Sequence, residues 1–276
     1  MATAAPELNP SPRIPAATLG FFPTTALLSA AILALGLATG VSLLQLPFLD
    51  NHFTLLLNTL STRSEIFDAS VGFLVKHMFS TLFLITLAWY AWFQSDQTEP
   101  RARILVGVLV SLLAGLVSRT LQMLLPTHVR PLHNAALNFR LPLHLNPETL
   151  NHWSSFPSDH ASVFFAIATT IFLVNRRIGV LAFVIATGLC LVRIYLGLHY
   201  LSDIVGGAAL GVLFVALTQP LRRLDTIRRL VAPRTTPRPL FYAAAFYLCF
   251  GVTTLFSDYR DLASGISPLL KAHLHH

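Results

Sequence analysis

The sequence predicts an all-α protein, a polytopic bundle of membrane-spanning helices, and three observations lead there. Only 11% of the 276 residues are charged while 54% are hydrophobic, with a mean hydropathy of +0.64. Ordinary soluble domains carry roughly 25% charge, because charge is what covers a water-facing surface. The apolar residues gather in seven runs, about 25–46, 70–93, 104–125, 157–174, 178–196, 200–218 and 240–256. A helix of about 20 residues crosses the hydrocarbon core, with ~17 to 25 tolerated. Finally, the arginines fall between these runs. The 19 Lys and Arg against 12 Asp and Glu leave +7, but a nucleic-acid binder gathers such a surplus into a patch on a folded face. Here it reads as membrane topology, and no nucleic-acid partner is expected.

Taken in order, residues 1–24 are a Pro- and Ala-rich tail that precedes the first run. That run is long, has no basic stretch at the extreme N-terminus and no small-residue cleavage site after it, which weighs against a cleaved leader. The second run carries Lys76 and His77 near its start, close enough to the interface for Lys76 to snorkel. The third, fourth, fifth and sixth runs complete a membrane-embedded unit over 25–218. Residues 219–239, rich in Arg and Pro, form a cytoplasmic linker, and 240–276 add a seventh helix and a tail. Cys190 and Cys249 lie inside apolar runs and read as small buried hydrophobes, with neither a disulfide framework nor a metal site implied.

Orientation follows from the arginines. With alternate crossings, one side receives Arg13, Arg101, Arg103, Arg176, Arg177, Arg222, Arg223, Arg228, Arg229, Arg234 and Arg238. The other receives Arg63, Arg130 and Arg140, with Arg193 and Lys76 near segment ends. The positive-inside rule puts the first set in the cytoplasm, so the 126–156 connection and the 197–199 turn face outward.

The same alternation delivers chemistry to one face. Arg130 follows segment three, Pro157-Ser158-Asp159-His160 opens segment four, Arg193 closes segment five, and His199 with Asp203 opens segment six. Ionisable groups at membrane depth are costly and usually functional, and a random scatter would have split them between faces. His199 and Asp203 are one helical turn apart. The carboxylate can bond one ring nitrogen, fix the tautomer and leave the other nitrogen free to attack phosphorus. Gly197 permits the turn that brings Arg193 and His199 to one pocket. Ser158 stands at a helix start, where a hydroxyl and free backbone N–H groups make an anion site. His160 can protonate a leaving oxygen, and Arg130 and Arg193 can grip phosphate oxygens. A histidine alone at a helix end is an ordinary interfacial residue, and His77, His128, His133, His144 and His152 are read that way.

At these residues the chain resembles the type 2 phosphatidic acid phosphatase superfamily, whose ordered motifs are K-x6-R-P, P-S-x-H and S-R-x5-H-x3-D. The second is matched in full by Pro157, Ser158, Asp159 and His160. The third is matched by Arg193, His199 and Asp203, with Val192 in the serine position. The first keeps Arg130-Pro131 but has Met123 where the family has lysine. The resemblance covers roughly 70–218. It implies a six-helix phosphatase core, with the C-terminal helix as a seventh, and a phosphohistidine mechanism needing no metal or other cofactor. His199 would be the nucleophile, Asp203 its support, and His160 the acid and then the base. Arg130, Ser158, the Asp159 N–H and Arg193 would surround the phosphate.

Arg119, one turn before Met123 on the same helical face, can replace the missing cation, although helical side chains tilt toward the N-terminus and hence away from the outer face. Lys76 is the alternative. The Asp of Pro-Ser-Asp-His resembles members acting on undecaprenyl diphosphate, which suits an outward-facing site in a bacterial plasma membrane. Phosphatidic acid and phosphatidylglycerol phosphate are the rival lipids. A transporter or a silent lipid-binding protein is the rival class, but a transporter is expected to break its helices near the midplane, whereas the polar groups here sit at segment ends.

Overall fold

The computed structural model describes residues 24–43, 47–75, 77–232 and 238–254, all helix or connection, with no strand among them. In chain order the helices are α1 (Thr24–Leu43), α2 (Pro47–Asn58), α3 (Glu65–Val75), α4 (His77–Phe93) and α5 (Thr98–Leu124). Then come α6 (Asp159–Val174), α7 (Arg176–Tyr195), α8 (Leu201–Thr218), α9 (Asp225–Val231) and α10 (Arg238–Thr254). The 27 residues of α5 reach about 40 Å at ~1.5 Å per residue. Three helical stretches, Thr98–Leu124, Arg176–Tyr195 and Leu201–Arg223, are long and apolar enough to cross a bilayer, and Leu28–Gly40, Thr81–Phe93, Asp159–Val174 and Pro239–Thr253 are shorter apolar ones. The bundle is the polytopic, all-helical architecture that the composition requires.

Helix α6 is the axis. It packs against α4, α5, α7 and α8, while α1 leans on α8 and α10 on α4. Its Phe164, Ile167 and Ile171 are buried in the main apolar core, with Leu84 and Ala88 of α4 and Ala182 and Ala186 of α7. Lipid tails are as apolar as leucine, so packing in a membrane depends on close approach and not on the exclusion of water. Glycine supplies that approach between α6 and α8. A Cβ on Gly207 would lie 2.3 Å from the Ser158 carbonyl oxygen, and one on Gly211 would lie 2.3 Å from that of Ser162. The α6–α7 reversal is equally tight. Asn175 ends one helix and caps the next, accepting the N–H groups of Arg177 (3.1 Å) and Ile178 (3.2 Å) through its Oδ1.

The second apolar run falls within the described helices α3 and α4, the first of which begins before it, and residue 76 lies outside the described residues. Helix α2 was not anticipated at all. Its Asp50, Thr54 and Asn58, one turn apart, are buried, while Phe48, Leu49 and Leu56 are exposed. The polar stripe faces protein and the apolar stripe faces outward, as expected of a helix lying against a bundle in lipid surroundings. Within the arginine-rich linker, Gln219–Arg223 form a 3-10 turn before α9. Residues 1–23 and 255–276, with the predicted tails, also lie outside the described residues.

Gly211 lies at the α6–α8 seam and makes no contribution to the polar end of the bundle, so it isolates the packing. Gly211→Val is expected to cost about 2 kcal/mol, the usual cost of overpacking, and to lower the melting temperature in detergent by several degrees. An unchanged melting temperature would mean that the two helices do not approach this closely.

Candidate active site

Four helix ends and two connections meet at one end of the bundle around a cavity of about 1180 Å³. Arg119 of α5, Arg130 of the long connection, Asp159 and His160 of α6, Arg193 of α7 and His199 of the α7–α8 turn all line it. Ser158 and Asp203 stand directly behind, in contact with His199. All eight predicted site residues are thus brought together. Lys76, the alternative to Arg119, lies outside the described residues.

The two motif segments are stitched by backbone as well as side chains. The Ser158 N–H donates to the Asp203 carbonyl (3.0 Å), an approach that Gly207 allows. On the other side, the Pro157 carbonyl accepts from Ser118 Oγ (3.0 Å) and Gln122 Nε2 (2.7 Å) of α5. Ser158 caps α6, its hydroxyl oxygen accepting the Ala161 N–H at 3.4 Å. Gly197 turns the chain after α7 with φ +69°, a left-handed conformation that costs glycine least.

His199 is buried, and its tautomer can be derived. Nδ1 lies 3.0 Å from the carbonyl oxygen of Ser155. A carbonyl only accepts, so Nδ1 carries the hydrogen and Nε2 keeps its lone pair. Nε2 in turn lies 3.3 Å from Ser158 Oγ, which donates to it. The expected pairing with Asp203 is looser than the sequence suggests: Asp203 Oδ2 stands 3.6 Å from Nδ1, beyond hydrogen-bond range. The carboxylate is instead held by the Tyr200 N–H at 2.7 Å on Oδ2 and by His128 Nδ1 at 3.0 Å on Oδ1. Burial lowers the pKa of His199, and the charge of Arg130 acts in the same direction against the opposing pull of Asp203.

The two central arginines differ. Arg130, only 2% exposed, spends three N–H groups on backbone: Nε on the Trp153 carbonyl (3.2 Å), Nη2 on that of Ser154 (3.0 Å) and Nη1 on that of Leu198. It locks the long connection onto the α7–α8 turn and leaves two N–H groups outside these bonds. Arg193 is 3% exposed, and its Nη2 is buried without a hydrogen-bond partner in the described structure. An unpaired donor on a buried cation is expensive, and at the wall of a cavity it is suited to an anion. His160 Nδ1 lies 2.8 Å from Asp159 Oδ1. Arg119 reaches the cavity despite the tilt expected of it, with Nη1 on Gln122 Oε1 (2.8 Å) and its guanidinium stacked 3.9 Å from the Trp153 ring. Met123 is exposed.

A sequence profile of the PAP2 superfamily matches residues 20–225. The chain belongs to the PAP2 superfamily. It is 28% identical over 169 residues to the bacitracin transport permease protein BcrC of Bacillus licheniformis, an alignment covering 59% of this chain and 77% of that one. It is also 28% identical over 169 residues to the undecaprenyl-diphosphatase BcrC of Bacillus subtilis (strain 168), covering 59% and 81%. Among solved structures, a transmembrane PAP2-type phosphatidylglycerolphosphate phosphatase from Bacillus subtilis shares 19% identity at a TM-score of 0.48, covering 73% of this chain and 96% of that one. This PAP2 protein is an integral-membrane lipid phosphatase.

Sequence reasoning missed several members of the PAP2 site. His128 was set aside as interfacial, yet it bonds Asp203. Ser155 supplies the acceptor for His199. Asp50 of α2 is buried and accepts the Ser202 N–H (2.9 Å) and the Ser202 hydroxyl (2.5 Å), anchoring the start of α8. The i, i+4 spacing of Asp50, Thr54 and Asn58 was the available signal for α2. Nothing in the local pattern marks Ser155.

The division of labour between the arginines predicts different costs. Arg130→Lys loses the planar fork and most of three hydrogen bonds, and is expected to lower stability in detergent by about 2–3 kcal/mol. Arg193→Lys is expected to change stability by under about 1 kcal/mol, since no described hydrogen bond of Nη2 is lost. Equal stability losses in the two variants would contradict this assignment.

Proposed function

We propose that this phosphatase removes the terminal phosphate of a polyprenyl diphosphate, most specifically undecaprenyl diphosphate, through a phosphohistidine on His199. The observation that carries the reading is the unpartnered Nη2 of Arg193 at the wall of a cavity whose other side is apolar. Phe73 of α3 and Leu112, Leu113 and Leu116 of α5 line that side. Leu116 is 64% exposed on the outer surface of the bundle, so the apolar wall runs into the lipid-facing surface. A head group of phosphates can sit among the arginines while its chain lies along α3 and α5. The undecaprenyl-diphosphatase relative supports this substrate.

In the proposed reaction, His199 Nε2 attacks the terminal phosphorus, an N–P bond forms, and the P–O bond to the inner phosphate breaks. His160, held by Asp159, gives its proton to the leaving oxygen. Water, deprotonated by the same ring, then attacks phosphorus and releases inorganic phosphate with a free His199. Arg193, the remaining N–H groups of Arg130, Ser158 Oγ and the first N–H groups of α6, including that of Asp159, hold the oxygens as charge spreads over them. Arg119 supplies the cation absent at Met123. Ser158 leaves Nε2 for the phosphate when substrate enters.

Residues 25–218 then form the phosphatase unit, and 219–239 a cytoplasmic linker. Arg222 bonds Glu99 at the end of the bundle opposite the cavity, where Arg101, Arg103, Arg176 and Arg177 also fall. The positive-inside rule puts that end in the cytoplasm. The site then faces the exterior or periplasm of a bacterial plasma membrane, where a lipid carrier is left as the diphosphate. The relative named as a permease covers the same share of this chain, and phosphate release separates the two readings.

With purified protein in detergent, polyprenyl diphosphate is expected to exceed phosphatidic acid in kcat/KM by about tenfold or more, without loss in EDTA. His199→Ala should abolish release. Arg119→Ala should lower kcat/KM about a hundredfold, about 3 kcal/mol of transition-state stabilisation. A preference for phosphatidic acid would transfer the assignment to that lipid, and no release from either would favour transport or binding.

A further inference from the structure

His128 stands outside the three motifs, yet it shares the buried carboxylate with the nucleophile. Its Nδ1 lies 3.0 Å from Asp203 Oδ1 and 2.9 Å from Ser155 Oγ. The Ser155 hydroxyl itself donates to the His128 carbonyl (3.1 Å), so its lone pair faces Nδ1, and the single Nδ1–H is divided between Asp203 and Ser155. The ring rests on Tyr200 at 4.8 Å. Ser155 then bonds both histidines, its hydroxyl oxygen to His128 and its carbonyl to His199, while Asp203 lies between them, 3.0 Å from one and 3.6 Å from the other.

We propose that His128 is a positioning residue of the hydrolase: its Nδ1–H draws the Asp203 carboxylate off His199, leaving the Ser155 carbonyl to orient the nucleophile. The inference rests on the phosphohistidine reading above. The Asp203 carboxylate is fully buried, and how its two oxygens are occupied decides how much of its negative charge reaches His199. With Oδ1 given to His128 and Oδ2 to the Tyr200 N–H, His199 receives only the residue of that charge. A full carboxylate bond to Nδ1 would make the ring more basic and enlarge the fraction present as imidazolium, whose Nε2 has no lone pair to attack with.

The charged and titratable groups around His128 are Asp203 of α8, Asp50 of α2, and Tyr200 and His199 of the turn. Burial opposes charge on His128, but the hydrogen bond and charge of Asp203, with Asp50 behind it, outweigh burial and raise its pKa. When His128 is protonated, its charge, across the shared Asp203 carboxylate, also opposes a proton on His199. Removing it therefore acts in one direction: His199 becomes easier to protonate.

The test uses the full chain in detergent with two readouts. One is the pH profile of kcat/KM on polyprenyl diphosphate. The other is the titration of His199 followed by nitrogen NMR of histidine-labelled protein, assigned by loss of the signal in His199→Gln. In His128→Ala both the acidic limb and the His199 titration should move up by about one pH unit, and kcat should fall about tenfold with KM within about twofold. His128→Asn keeps an N–H donor without the charge, and should recover most of kcat while keeping the shifted titration. A His199 titration unmoved in both variants would overturn the proposal, as would a loss confined to KM. If the parent releases no phosphate while the NMR shift occurs, the positioning holds and the substrate reading fails.

Discussion

A carboxylate with no access to water must be surrounded by donors, and the arrangement of this site follows from how Asp203 meets that demand. The side chain is fully buried. It takes the Tyr200 N–H at the start of α8, which caps that helix, and His128 from the far side of the long connection. Its own carbonyl accepts from Ser158, which caps α6. One residue thereby joins the starts of two helices to the loop that carries Arg130, and His199 lies in the space left between them. Breaking one partner would leave a buried charge partly uncompensated, which is among the larger penalties available to a protein.

Packing makes that arrangement possible. Gly207 lets the first turn of α8 lie against the Ser158 carbonyl, so the two motif segments touch through backbone. Ser118 and Gln122 of α5 grip the Pro157 carbonyl from the other side. Arg130 then ties the connection to Leu198 with its guanidinium. These bonds are local to the polar end, whereas the helices below them are held by apolar contact, and the contrast accounts for a rigid site on a bundle with a lipid-facing cavity wall. Arg193 is the exception. Its Nη2 is left without a described hydrogen bond, and the proposed reaction uses that gap for a phosphate oxygen.

The membrane bundle was legible because hydropathy is summed over about 20 residues and tolerates local error. The motif residues were legible because alternation alone put Arg130, His160, Arg193 and His199 on one face. Helix α2 was hidden by its inverted pattern: Asp50, Thr54 and Asn58 interrupt an apolar stretch too short to span, and the eye takes them for a loop. The partners brought in by the long connection were hidden for a different reason: His128 lies 75 positions from Asp203 and Ser155 lies 44 from His199, and no spacing rule connects them. Proximity in sequence favoured His199, four residues away, as the closest partner, but capping geometry turned the carboxylate toward Tyr200 and His128. Arg119 was found by position, while the Trp153 ring that holds it came only from the fold.

The central claim is that His199 Nε2 is the atom that takes the phosphate. Rapid acid-free quenching of the enzyme with terminally ³²P-labelled polyprenyl diphosphate, followed by digestion under alkaline conditions that preserve phosphohistidine, identifies the labelled peptide and the substituted ring nitrogen. Label on the peptide containing His199, with phosphorus on Nε2, is the predicted result. Label on Nδ1, on another residue, or no covalent label during active turnover would contradict the account.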